Sequence, residues 1–474
     1  MPSISSLGIG SGLDLDSLLT KIQSAESASL TAITKQQSAY NTKLSAYGQL
    51  KSALAGFQTA AAALGAQSLY GTVTAASSST ATLAASADTT AAAGNYTVNV
   101  TQLAQAQSLV SAGQASAATA IGGGTVTLEL GTTSAGTFTP GSAAAVQIDI
   151  AAGSSLLDIR DAINKANAGV TASIVNDGSG TPYRLAISAN SSGAASTMRI
   201  SVSDNGGDSS ALASVVAYDP AGTSAMTQTM AGLDAKLSLN GIDVTSASNT
   251  VAGAAQGVTL TLQATGTSLV AVKSDKAAIS GAVQNFVTAY NKLQGTLASL
   301  TAYDPTSKTG SPLLGDATTR GIQTQIRAAL NGAQPASGAN GLSTLMEVGI
   351  GFQADGTMSL DSAKLNNALT TNLTGVQQLF AGADGKSGFG NQISKLATGF
   401  TGYNGSLTNA TDGINKSLRT LGDQYNAQSD RINTMMDGYR AQFTQLDLLM
   451  NQMNSTSSYL TQQFSAMNGA SRSK

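Results

Sequence analysis

Any chemistry in this chain must be carried by carboxylates, hydroxyls and amides, because its 474 residues include no His and no Cys. That removes the usual zinc and iron ligands and any Ser–His or Cys–His nucleophile pair. Three stretches still have the residue types of a site. Gly8, Gly10 and Gly12 suggest a phosphate loop. No strand pattern precedes them, no Gly-Lys-Ser/Thr follows, and the spacing is not that of a dinucleotide loop, so residues 3–13 read as a flexible arm. Asp14 and Asp16 could begin a metal pair but have no further ligands nearby; they suit the N-terminus of a helix instead. Asp204-Asn205-Gly206-Gly207-Asp208 has the composition of a calcium loop without its spaced ligands or terminal Glu, and reads as a solvated turn. A carboxylate acid–base pair would need a cluster that the sequence does not offer. The expectation is a protein with no cofactor, no metal and no enzymatic activity.

Composition narrows the partners. Charged residues make up 11% and the net charge is −2, so there is no basic field to hold nucleic acid. No run of eighteen apolar residues is present, which argues against membrane insertion, and the N-terminal residues lack the basic and apolar regions of a secretory signal. Absence of Cys fits a reducing compartment or a chain that needs no disulfides.

The remaining chemistry is association, and its residues lie near the chain ends. Ile414, Leu418, Leu421, Tyr425, Gln428, Ile432, Met435 and Tyr439 alternate steps of four and three, the seam of a coiled coil. A second step of four leads from Tyr439 to Phe443, a stutter that locally unwinds a supercoil, before Leu446, Met450 and Met453. No proline follows Pro335, so nothing forces this helix to stop. Leu19, Ile22, Ile33, Tyr40 and Leu44 form a matching stripe in a proline-free stretch from Leu15 to Leu64. Neither stripe is wide enough to be buried alone. The simplest architecture pairs the two arms into a stalk and loops the intervening residues out as a head.

The elements that hold these arms apart follow in order. Tyr96, Val98 and Val100 alternate as a strand, as do Val126, Leu128 and Leu130, then Val146, Ile148 and Ile150. Leu156, Ile159 and Ile163 mark a short helix; Val170, Ala172 and Ile174 resume a strand that Asp177-Gly178 turns. Leu237, Leu239 and Ile242 come next, Val251 falls in a connecting segment, and Val258 opens another strand. Gly169–Thr171 and Gly257–Thr259 are a weak internal echo. From Lys276, Ile279, Val283, Phe286, Tyr290, Leu293, Leu297 and Leu300 give the cleanest heptad run, stopped by Tyr303-Asp304-Pro305. The fold class is therefore α+β and multidomain: long terminal coiled-coil helices forming a stalk or leg, with two β-rich head domains inserted between them. The expected division is an N-terminal arm and leg helix over 1–70 and an inner head domain built from 71–110 and 232–276. An outer head domain takes 111–231, a helical leg domain 277–405 and the C-terminal leg helix 406–474.

The order of features also resembles a known family. The opening Ser-Ile-Ser-Ser-Leu-Gly-Ile-Gly-Ser-Gly-Leu-Asp-Leu-Asp is similar to the start of the flagellar filament cap proteins, the hook-associated protein 2 family. So are Leu44–Leu54, Tyr96–Gln107, Ile159–Asn164, Leu313–Asp316, Gln442–Asp447 and Ser457–Phe464. The resemblance implies a ring of five or six copies at the flagellum tip, whose terminal helices are legs and whose β-rich domains form a plate. Exported flagellin would fold and insert beneath that plate instead of being lost. It also implies contacts with hook–filament junction proteins, export through the flagellar type III channel without a cleaved signal, and an export chaperone on the tail around Tyr459, Leu460 and Phe464. Competing readings of the residues are a filament or hook-junction subunit, with the same paired termini, and a surface adhesin whose Ser/Thr/Asn-rich head serves cell adhesion.

Because the strand signals in 111–231 are local, deleting those residues is expected to leave a helical stalk that still self-associates. Loss of helicity in circular dichroism would show that the boundary is misplaced.

Overall fold

The computed structural model describes residues 14–335 and 341–470, apart from the side chains of 468–470. The chain forms two compact units, a helical one made of the residues up to Leu69 with those from Ala277 onward, and a β-rich one over Tyr70–Lys276.

The helical unit is built around the second half of the N-terminal helix, Leu15–Gly65. Ala46, Leu50, Ala53, Phe57, Ala61 and Leu64 fall at three- and four-residue steps, with Tyr47 and Leu54 beside them, and all are buried. Phe57 sits 5.2 Å from the ring of Phe286 and 5.6 Å edge-on from Tyr290, which in turn meets Phe352 at 6.0 Å. The heptad residues of Lys276–Thr301 are thus used within this unit: Ile279, Val283, Phe286, Tyr290, Leu293, Leu297 and Leu300 are all buried. Asn291 completes the edge of the small hairpin Ile350–Phe352/Met358–Leu360, donating to the Met358 carbonyl at 2.8 Å and accepting its N–H at 2.7 Å.

Where the N-terminal helix ends, it crosses Phe389–Thr401 at a contact that only glycine permits. A Cβ on Gly390 would lie 2.4 Å from the Gly65 nitrogen and 2.6 Å from the Ala61 carbonyl. Asn391, next in the chain, donates its amide to the carbonyls of Ala381 (2.9 Å), Gly385 (3.1 Å) and Gly65 (3.2 Å). It thereby closes the glycine-rich break before this helix.

The β-rich unit contains two apolar cores. Residues 73–104 and 235–272 form a five-stranded antiparallel sheet in the order Val73–Ser77, Gly266–Ser274, Gly94–Gln102, Ala235–Leu239 and Ile242–Ser246. It shares one core, including Leu83, Val98, Val100, Leu237, Leu260 and Val270, with the three-stranded sheet Thr250–Ala255, Val258–Leu262 and Leu83–Ala87. Val251 is therefore in a strand and not in a connecting segment. Gly253, at φ +81°, interrupts the pairing register there and hides the alternation from the sequence. The second core runs from Leu109 to Met226 and carries two helices, Leu156–Lys165 and Ser209–Val216. Ser155 and Asp158 form a reciprocal capping box for the first, and Asp208 caps the second through the Ala211 N–H at 3.0 Å. Fully buried Gln107 ties this core together, accepting from Met198 N–H at 2.6 Å and donating to Gln228 at 2.7 Å. The echo of Gly169–Thr171 and Gly257–Thr259 has a local cause. Both glycines have positive φ, +76° and +69°, and each turns the chain into a strand.

One polar knot fixes the N-terminal helix midway. Asp316 accepts from Lys43 Nζ at 2.8 Å, Tyr47 Oη at 2.7 Å, and the Thr319 N–H and hydroxyl at 2.9 and 3.0 Å. Burial alone would raise the Asp316 pKa, but Lys43, the Thr319 N–H and Tyr47 outweigh it and hold the carboxyl at about 2, below its ordinary 3.8. Tyr47 is pushed up in turn, by burial and by the Asp316 carboxylate. A carboxyl depressed in the folded state contributes its stability fully above pH 4 and loses it as the pH falls through about 2. Asp316→Asn is expected to cost roughly 1–3 kcal/mol at neutral pH in urea denaturation. The gap from the parent should close between pH 4 and pH 2; a gap independent of pH would show that the ionised carboxylate does not carry the difference.

Candidate interaction surface on the terminal helices

Two long helices carry the stripes. The N-terminal one begins at Leu15, capped by Asp14, whose carboxylate accepts from Ser17 N–H at 3.1 Å. The C-terminal one spans Ser406–Ala470, about 98 Å at 1.5 Å per residue. Its apolar residues follow a narrow line because the remaining positions are Asn, Gln, Ser, Thr and charged residues, which stay in water.

The two helices pack against each other in antiparallel fashion. Leu19, Ile432 and Met436 are buried together, with Ile22, Leu30, Tyr439 and Phe443 packed around them. Further along, Gln428 donates to the Ser29 hydroxyl at 3.1 Å, so rising numbers on one helix meet falling numbers on the other. Tyr439 and Phe443 stack with centroids 6.4 Å apart.

The expected seam positions divide into three groups. Leu19, Ile414, Leu421 and Ile432 are buried. Ile22, Ile33, Tyr40, Leu44, Leu418, Tyr425, Met435, Tyr439 and Phe443 are half-buried. Leu446 is exposed, as are Tyr459, Leu460 and Phe464 in the tail. At one position the seam runs differently from its sequence reading: Met436 is buried, and Met435 lies at the edge. The two consecutive steps of four therefore fall at Gln428–Ile432–Met436, ahead of Tyr439. A near-straight helix of 3.6 residues per turn drifts from a 3.5 repeat, and the side chain that meets Leu19 decides where the correction falls. Leu30 also packs into this surface, and Leu15, one turn before Leu19, is buried as well.

Beyond Phe443 the stripe has no cover among the described residues. Leu446, Leu449, Met453, Tyr459, Leu460 and Phe464 are between 39% and 62% exposed, far from the usual state of large apolar side chains. Within the chain, Leu19 and Ile22 meet Ile432 to Phe443 and do not reach this tail. Elsewhere, no group of three or more His, Cys, Asp or Glu able to hold a metal occurs among the described residues. The Asp204–Asp208 loop is closed on itself, Asp204 accepting from Gly206 N–H at 2.8 Å. The glycines at 8, 10 and 12 lie outside the described residues. No described helix is long and apolar enough to cross a membrane.

A chain whose two terminal helices pair with each other, leaving an apolar stripe exposed along one of them, has the design of a structural assembly protein. Comparison with known proteins agrees. Residues 11–107 and 232–455 match the profiles for the flagellar hook-associated protein 2 N-terminus and C-terminus, and 125–191 match the flagellin hook IN motif. The chain is 42% identical to flagellar hook-associated protein 2 of Escherichia coli (strain K12), covering 98% of both chains. It is also 42% identical to that of Salmonella typhimurium, over 99% of this chain and 100% of the relative. It resembles the crystal structure of the D1-D2-D3 domains of the Escherichia coli flagellar cap protein FliD. The TM-score is 0.63 at 38% identity, over 78% of this chain and 99% of that one. The chain belongs to the flagellar hook-associated protein 2 family, the filament-capping proteins, which are structural and not enzymatic.

Leu421→Asp with Ile432→Asp places two charges where the seam is dry, at a cost of several kcal/mol. Hydrogen exchange over 15–33 and 421–443 is expected to rise in this double variant while 277–301 keeps its protection. Unchanged exchange along the seam would show that these contacts do not hold the helices together.

Proposed function

We propose that the chain works as a homo-oligomeric ring at the tip of the growing flagellum, holding exported flagellin until it folds and inserts. The observation that carries this reading is the apolar stripe of Ser406–Ala470, satisfied within the chain as far as Phe443 and open beyond it. A soluble helix does not keep six large apolar side chains in water unless assembly covers them. The paired helices serve as the leg, with Leu19, Ile22, Ile432 and Tyr439 holding each leg together. The β-rich unit serves as the plate, residues 111–231 forming its outer domain and 71–110 with 232–276 its inner one. Two separate apolar cores support a division into two domains, with Leu109, just before residue 111, packed in the outer core.

In the same reading, flagellin and the hook–filament junction proteins are the partners of the assembled ring. An export chaperone is the partner of the tail around Tyr459, Leu460 and Phe464 before assembly. Export proceeds through the flagellar type III channel, which the absence of Cys and Trp does not obstruct.

Electron microscopy of the purified chain is expected to show closed rings, and removal of residues 454–474 to reduce both ring formation and chaperone affinity, measured by calorimetric titration. Open helical polymers would favour a filament subunit, and equal chaperone affinity would remove the tail from the proposal.

A further inference from the structure

Four strands of the β-rich unit lie in the order Thr227–Met230, Ser108–Val110, Tyr183–Ala189 and Val170–Asn176. The edge of such a sheet is a template for any extended chain, and proteins blunt it by shortness, bulges, proline or charge. The first edge uses two of these devices: it is four residues long, and its register shifts between Gln228 and Met230. Val170–Asn176 uses none of them. It runs for seven residues, pairs with Tyr183–Ala189 without a register shift, and contains no proline and no charged side chain. Val170 and Ala172 are buried in the core, while Thr171, Ser173 and Val175 are exposed.

The ladder determines which backbone groups reach the outer side of this strand. Asn190 donates its N–H to the Gly169 carbonyl at 2.9 Å, so by alternation Thr171, Ser173 and Val175 bond inward across the sheet. Leu185, opposite Ile174, turns its backbone the other way: its N–H donates to Ser111 Oγ, and its carbonyl accepts from the Ser111 N–H, both at 2.9 Å. Val170, Ala172 and Ile174 therefore face outward, and an added strand would have to bond them. The middle one is taken. Asn164, in the last turn of the helix Leu156–Lys165, accepts from the Ala172 N–H at 2.7 Å and donates to the Ala172 carbonyl at 2.9 Å. Its neighbour Ile163 is buried in the core and holds that end of the helix in place. A primary amide offers the same donor and acceptor as a peptide group, so this side chain occupies the place of one residue of a fifth strand.

We infer that Asn164 is a seal on this edge: it denies the sheet to extended polypeptide, and without it Val170–Asn176 takes a fifth strand. A bond between positions eight apart also ties the helix to the strand that follows, but that tie alone would not decide whether the edge accepts a partner. The inference rests neither on ring formation nor on the handling of flagellin.

The test uses the full-length chain and, as probe, a fluorescently labelled peptide with the sequence of residues 169–177. Asn164→Ala is expected to bind this peptide at least about tenfold more tightly than the parent, since the outward groups are then free to pair. Adding Ser173→Lys, which puts a charge on the exposed face of the edge strand, is expected to abolish the gain. Hydrogen exchange supplies a measurement in the parent itself. The Ala172 amide should exchange at least about tenfold more slowly than that of Ile174, the next outward-facing amide of the same edge. Should Asn164→Ala lose the circular dichroism of the folded chain, the exchange rates in the parent decide alone. Equal peptide affinity of the parent and a folded Asn164→Ala, a gain that survives Ser173→Lys, or equal exchange at Ala172 and Ile174 would each overturn the inference.

Discussion

A helix can bury a narrow apolar stripe only against something else, and that constraint governs this molecule. The C-terminal helix has one such line along most of its length. Near its start Leu407, Ile414 and Leu421 are buried, the first turns lying against the neighbouring helices of the same unit. From Gln428 to Phe443 the N-terminal helix is the partner. After that the stripe continues with nothing described against it. The gradient from core to pair to open surface runs along a single helix.

Register in such a seam is a separate problem. A heptad pattern repeats, so two paired helices could slip by seven residues and still match apolar to apolar. Here the choice is made outside the seam. The N-terminal helix is anchored over Ala46–Leu64 by Phe57 among Phe286 and Tyr290, by the Gly65–Gly390 crossing, and by Asp316 gripping Lys43 and Tyr47. With that half held, Ser29 and Leu19 can meet only one stretch of the partner. The Gln428–Ser29 hydrogen bond is consistent with that register and adds a polar marker to it.

The β-rich unit answers to different physics. Some strands pair as hairpins and others across long stretches of chain, as Val73–Ser77 does with Gly266–Ser274; glycines at positive φ set several turns, and the two cores are separately apolar. Buried polar groups are few and well satisfied: Gln107 bonds three partners, and Ser268 joins Ser77, Ser78 and the Ser79 N–H.

Much of this was legible in the residues themselves. Period and proline placement determined the terminal helices, the heptad of Ile279 to Leu300 and the seam through Ile414, Leu421 and Ile432. Missing His and Cys determined what chemistry was ruled out. These are local properties, set by where side chains point along a helix or strand. What the sequence could not decide was how each stripe would be used. The most regular heptad went into the interior of the helical unit, where Phe57 packs against Phe286 and Tyr290. Met436 displaced Met435 because the seam is read by Leu19 and not by an ideal repeat. Val251 joined a strand across a glycine bulge. Each outcome depends on a partner distant in the chain, and only the tertiary structure brings that partner near.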